Sequence, residues 1–169
     1  MATSDAKFEG LGPVILSPLD RLLDFQPKAR VEPALGHRKS LEALRSSLRR
    51  DLENLLNTRC APEVGQSAYE EVERSVFCYG LPDITAIGAN YLHDHNRLLT
   101  RVEQAVKLFE PRLNPVKVFL SPATSPERVL RFVIEGMLRV DPAPEHVVFD
   151  AALELISGEY QLLGDSGAR

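Results

Sequence analysis

The sequence predicts an α+β fold, with N-terminal helices packed on one face of a small, mainly antiparallel C-terminal sheet. Three observations carry this. Apolar residues recur at spacings of three and four through residues 38–109, the period of helices with one buried stripe. Beyond residue 115 the pattern changes to alternation, the period of half-buried strands. The connections between the alternating segments are short, which favours a meander of neighbouring strands over crossovers.

Residues 1–16 read as a loose arm. A short helix is expected over 17–25, SPLDRLLDF, with Ser17 as its cap and Pro18 at its first position. Leu19, Leu22 and Leu23 then share one side. Two readings of that stripe are open: a terminal segment docked on its own domain, or a helix that binds a partner. Residues 26–36, with Pro27, Pro33 and Gly36, read as a linker.

The strongest helix is expected over 38–58, where Leu41, Leu44, Leu48, Leu52 and Leu55 form one stripe beside Arg45, Arg49 and Arg50. A second, over 67–78, opens with Ser67 and Glu70 in capping-box register and has Tyr69, Val72 and Val76 as its apolar face. Gly80 can supply the left-handed residue after it, and Pro82 blocks continuation. A third spans 94–109, with Asp94 as cap and Leu98, Val102, Ala105 and Phe109 in line, and Pro111 stops it.

Strand character begins at Val116, Val118 and Leu120. Over 128–140 one face carries Leu130, Phe132, Ile134, Leu138 and Val140, and the other mixes Val129, Arg131, Val133, Glu135, Met137 and Arg139. Residues 146–156 alternate through Phe149, Ala151, Leu153 and Leu155, although AALEL also has high helix propensity and a helix over 150–157 is the alternative. A last short strand is expected over 159–163. The expected organisation is an arm over 1–36, one domain over 37–165 and a tail over 166–169.

Composition narrows the function classes. A net charge of −4 argues against a broad nucleic-acid-binding face. Two cysteines are too few for a disulfide framework and read as reduced thiols, with Cys78 a buried structural one. No secretory signal is visible at the start, and no apolar run approaches the roughly 20 residues of a membrane helix, so direct membrane insertion is not expected.

Nothing points to chemistry. There is no Gly-rich phosphate loop and no nucleophile elbow. His93 and His95 flank Asp94 at a helix entrance, without the further ligands zinc would need. His37 and His146 read as surface residues. No acid/nucleophile pair of carboxylates stands out. Catalytic, cofactor and metal sites are therefore all expected to be absent.

Glu110-Pro111-Arg112 is the one unusual charged motif. Proline holds the backbone just past a helix and separates an acceptor from a planar donor fork. It reads equally as a local cap, with Arg112 near the negative helix end, or as a partner contact formed by charges projecting from a stiff corner.

Four segments in order, SPLDRL (17–22), LRRDLENLLNTR (48–59), SVFCYGLPD (75–83) and LFEPRL (108–113), resemble the TssE family of type VI secretion and the related sheath-initiator wedge protein of contractile phage tails. The resemblance extends over 17–163. Cys60-Ala61 and the long GANYLHDHNR stretch depart from the family pattern, in loops. The resemblance implies a non-enzymatic cytoplasmic baseplate subunit, docked at the inner membrane through the baseplate and membrane complex, that nucleates and anchors a contractile sheath. Implied partners are the small and large sheath subunits, the other wedge subunits and, indirectly, the spike or hub. Sheath arms would add as strands to the sheet, with 146–156 as a possible template. Glu110, Pro111 and Arg112 would hold the first sheath subunits, and Leu19, Leu22 and Leu23 would dock on a wedge neighbour. Relatives have carried a lysozyme label, so a peptidoglycan hydrolase is the alternative, followed by an unrelated cytoplasmic adaptor.

Overall fold

The computed structural model describes residues 12–23, 27–28, 36–60, 69–82, 91–121, 129–155 and 157–165. The chain divides into two compact units, Met1–Arg50 and Asp51–Arg169, and the division falls inside one continuous helix. Each unit is described by itself.

In the first unit, α1 (Pro18–Leu22) is capped by the Ser17 hydroxyl, which accepts from the Asp20 amide at 3.2 Å. It is a single turn, shorter than the 17–25 expected, because Leu23 turns extended (φ −76°, ψ 112°); residues 24–26 lie outside the described residues. The other element is the N-terminal part of α2 (His37–Asn57), where Leu41, Leu44 and Leu48 are buried as the leucine spacing requires.

In the second unit, α2 ends with Leu52, Leu55 and Leu56 buried. The helix expected over 67–78 is instead a four-residue turn, α3 (Glu70–Glu73), followed by a 3-10 turn over Val76–Cys78. Ser75 breaks it: its backbone is extended and its hydroxyl donates to the Val72 carbonyl at 2.7 Å, the competition by which serine leaves helices. The expected cap, Ser67, lies outside the described residues. Tyr69, Val72 and Val76, the expected inner face, are exposed.

Helix α4 (Tyr91–Phe109) starts three residues earlier than expected, so Asp94 lies inside its first turn and does not cap it. Leu98, Leu99, Val102, Ala105 and Val106 are its buried stripe, and it packs along β1. Four antiparallel strands follow in meander order: β1 (Leu113–Leu120), β2 (Val129–Leu138), β3 (Glu145–Glu154) and β4 (Tyr160–Asp165). Strand β2 ends at Leu138, so Val140 falls outside it.

The sheet's core-facing side is continuous across the ladders: half-buried Val118 opposite Ile134, Ile134 opposite Phe149, Phe132 opposite Ala151, and Ala151 opposite Leu162. Residues 150–154 are strand, not helix. Pairing on both sides, with Val147, Phe149, Ala151 and Leu153 buried in alternation, outweighs the helix propensity of AALEL. The same pairing corrects the expected role of 146–156. From Phe149 to Leu153 this strand is paired on both sides, so its backbone groups there are already used, and among the described residues the outermost strands are β1 and β4.

Candidate functional site

Three segments separated in sequence converge in the second unit. Gly80 carries φ +110°, a conformation that favours glycine, and brings Leu81 against the end of α2. There the Leu81 amide donates to the Thr58 carbonyl at 2.8 Å, and the Cys60 amide donates to the Leu81 carbonyl at 3.0 Å. Tyr79, next along, meets Phe109 edge-to-face with ring centroids 5.2 Å apart. Burial raises the Tyr79 phenol pKa, and the nearby Asp51 and Glu110 carboxylates add to the shift.

Glu110 and Arg112 complete the cluster. The Arg112 Nε donates to Glu110 Oε1 at 2.6 Å and its Nη2 to Glu110 Oε2, a bidentate fork closed across Pro111. Nη2 also donates to Asp51 Oδ2 at 2.6 Å. The Arg112 carbonyl accepts from the Arg139 amide at 2.8 Å, tying the corner to the end of β2. The hydrogen bonds that the guanidinium donates to Glu110 raise its pKa against the opposing effect of burial, and Asp51 adds to the rise.

This corrects the expected geometry. Glu110 and Arg112 do not project apart from a stiff corner; they pair with each other. Glu110 is 5% exposed. What the corner offers outward is Pro111, which is exposed, and the quarter of the Arg112 side chain that remains accessible.

The first unit holds the other candidate residues. A stripe of polar side chains on α2 takes up the preceding segment. His37 Nδ1 lies 2.8 Å from the Gly12 carbonyl, and the Ser40 hydroxyl accepts from the Val14 amide at 2.8 Å. Further along, Ser47 donates to Asp20 Oδ2 at 2.6 Å and Arg50 to Asp20 Oδ1 at 2.7 Å. Of the arm expected to be loose over 1–16, residues 12–16 are held to α2 through Gly12 and Val14, while residues 1–11 lie outside the described residues; α1 is strapped through Asp20, and His37 is buried rather than on the surface. Asp20 holds the inner side of α1, and the apolar residues face out: Leu19, Leu22 and Leu23 are 58%, 81% and 41% exposed.

The strap has a pH limit. Burial of the Asp20 carboxyl would raise its pKa. Hydrogen bonds from Ser17, Ser47 and Arg50, with the Arg50 charge, outweigh that and lower it from 3.8 to about 2. A lowered folded-state pKa stabilises fully above the unfolded value and loses its contribution as pH falls through the folded one. Protection of the α1 amides in hydrogen exchange is therefore expected to be constant above about pH 5 and to fall between about pH 4 and 2. In Asp20→Asn that dependence should vanish; an unchanged pH profile would refute the role of Asp20.

The remaining sequence candidates carry less. Cys78 is buried and neither cysteine is in a disulfide. His146 Nε2 lies 2.6 Å from Glu135 Oε1 on the outer sheet face. His93 and His95 fall among the first five residues of α4, and their side chains lie outside the described residues. Among the described residues no group of three metal-ligating side chains gathers, and no helix is long and apolar enough to cross a membrane.

Sequence reasoning missed Asp51, Ser47 and Ser40 as site residues. The spacing of His37, Ser40, Ser47 and Arg50, by three, seven and three, was a helical-face signal for the strap. No local signal pairs Asp51 with Arg112.

No curated protein and no solved structure shows significant similarity to the chain. Residues 42–143 match a family model described as baseplate wedge protein gp25, and they include the end of α2, the Gly80 turn and the Glu110–Arg112 corner. With more than half its length matched, the chain belongs to the baseplate wedge protein gp25 family, whose homologue in type VI secretion is TssE.

Proposed function

We propose that this protein is a wedge subunit of a type VI secretion baseplate that nucleates and anchors the contractile sheath, without catalytic activity of its own. The family match over 42–143 carries the reading. In this reading the partners are the small and large sheath subunits and the neighbouring wedge subunits, with the spike or hub reached through the wedge. The protein works in the cytoplasm, held at the inner membrane by the baseplate and membrane complex.

Sheath arms add as strands to the sheet, where backbone groups supply affinity and side chains supply register. The Glu110–Arg112 pair sets the shape of the corner between α4 and β1, and Pro111 with the accessible part of Arg112 forms the contact. The outward leucines of α1 dock on a wedge neighbour. Their exposure supports this: Leu19 and Leu22 on the turn and Leu23 at its C-cap, with an aspartate fixing the opposite side, form an apolar anchor that leaves the strap in place.

Co-expression with candidate sheath and wedge subunits tests the proposal. The wild-type protein should co-purify with both. The triple variant Leu19→Ser, Leu22→Ser, Leu23→Ser should lose the wedge subunits, by about 2 kcal/mol or more, roughly thirtyfold in affinity. Its unfolding should stay cooperative and within about 1 kcal/mol of wild type, as exposed sites allow. If the wild type captures neither class of subunit, the proposal fails; if the triple variant unfolds, α1 belongs to the fold and is not a docking turn.

A further inference from the structure

The outer side of α4 carries a cleft of about 430 Å3 whose described lining is Asn96, Arg97, Thr100, Arg101 and Gln104. All five are exposed and lie opposite the buried stripe of the helix, so none is needed to hold α4 in the fold. The lining offers two guanidiniums, two carboxamides and one hydroxyl, and no carboxylate. The hydroxyl is already used, because Thr100 donates to the Asn96 carbonyl at 2.9 Å. The guanidiniums and carboxamides are left to face an occupant, and every charge among them is positive.

Arg97 and Arg101 stand four residues apart, the spacing at which like charges repel and weaken a helix. Arg101 has no acid three or four residues away on either side, since Arg97, Leu98, Gln104 and Ala105 occupy those places. Among the described residues neither guanidinium meets a carboxylate. Other cations of the chain are placed with acids: Lys107 with Glu103 on the same helix, Arg74 with Glu70, and Arg50 with Asp20. Two planar forks one turn apart, about 5–6 Å between their Cβ atoms, match two carboxylates at the same spacing, as on a helix with acids four residues apart. A lone phosphate would fill little of the cleft. A nucleic acid or an anionic membrane would spread over a wider face, which the net charge of −4 and Glu103 on the flank of α4 oppose.

We infer that this cleft binds an acidic helical segment of a partner protein, with Arg97 and Arg101 each taking one carboxylate and Asn96 and Gln104 adding amide hydrogen bonds at the two ends. The bound carboxylates also relieve the repulsion between the two arginines. Binding at this face is therefore controlled by charge: quick at low salt and weakened by screening. The inference rests on α4 alone and stands whether or not the protein nucleates a sheath.

The test is an NMR titration of the full chain with two alanine-based helical peptides, one carrying a pair of glutamates four residues apart and one carrying glutamines in their place. The glutamate peptide should shift the Arg97 and Arg101 Nε–H signals and the side-chain NH2 signals of Asn96 and Gln104. The glutamine peptide should leave all four in place, a comparison that needs no variant. Raising the salt from about 20 to 200 mM should weaken glutamate-peptide binding roughly tenfold. Arg101→Gln should weaken it up to about fivefold, and Arg97→Glu with Arg101→Glu should abolish it. Both variants should keep the wild-type melting temperature, because the positions are exposed. The inference is overturned if the glutamate peptide shifts none of the four signals, if both peptides shift them equally, or if the charge-reversed variant binds as well as wild type. Tighter binding of inorganic phosphate or of a thymidine oligonucleotide than of the glutamate peptide would overturn it too.

Discussion

Arg112→Ala is expected to destabilise the unit Asp51–Arg169 by about 3–5 kcal/mol, the usual cost of removing one partner from a buried ion pair. The reason is Glu110. Its side chain is 6% exposed, and Arg112 supplies the fork that satisfies both of its oxygens. Without the guanidinium the carboxylate must stay ionised in a site closed to water or take up a proton, and either choice costs stability. Asp51 loses its bond from Arg112 at the same time. Arg112→Lys should recover only part of the loss, because an ammonium cannot bond two carboxylate oxygens in the plane of the fork and also reach Asp51. Urea unfolding of Arg112→Ala, Glu110→Gln and the double variant measures this. The double variant should be more stable than the sum of the singles predicts, since neither leaves the other stranded. A drop below about 1 kcal/mol for Arg112→Ala would mean that the pair behaves as a solvent-screened surface bridge. Loss of sheath assembly in these variants is then to be read against their measured stability, because the corner is a packed element as well as a proposed contact.

Gly80→Ala is the second large effect. A Cβ at this position would lie 2.3 Å from the Thr58 carbonyl oxygen and 2.7 Å from its carbon, both backbone atoms, in a conformation with φ +110° that side chains resist. Relief requires the chain to leave Thr58, which breaks the two bonds joining Leu81 to Thr58 and Cys60. The expected cost is about 3 kcal/mol or more, a fall in melting temperature of roughly 6–12 °C for a chain of this size. The Tyr79–Phe109 contact should loosen with it, seen as faster exchange at the Glu110 amide, which donates to the Val106 carbonyl. Gly164→Ala is the matched control, because nothing lies within 4 Å of its Cβ position and φ is ordinary. Equal melting temperatures for Gly80→Ala and wild type would show that the approach to Thr58 is not obligatory.

The repeating patterns were legible in the sequence. The leucines of α2 recur as a helix demands and are buried. Leu130, Phe132, Ile134 and Leu138 alternate as a half-buried strand demands and are buried too. Gly80 announced its left-handed turn and Ser17 its cap. Where a single residue broke a pattern the reading failed: Tyr69, Val72 and Val76 kept helical spacing, but Ser75 ended the helix between them.

By itself, the sequence determined the fold class, the order of helices before strands, the meander and the segments that mark the family. Periodicity and turn chemistry are local properties, set by backbone sterics and by which side chains prefer to leave water. Only the tertiary structure decided what the charged and amide side chains are for. It closed Glu110 on Arg112 instead of turning both outward, brought Asp51 to that pair from 61 residues away, and set Asn57 on the backbone of Tyr160, 103 residues on. It also made β3 an inner strand and left β1 and β4 outermost among the described strands. A buried polar group must find a partner, and the chain determines which one by packing rather than by spacing, so charges that the sequence left open between a local cap and an outward contact became fastenings of the fold.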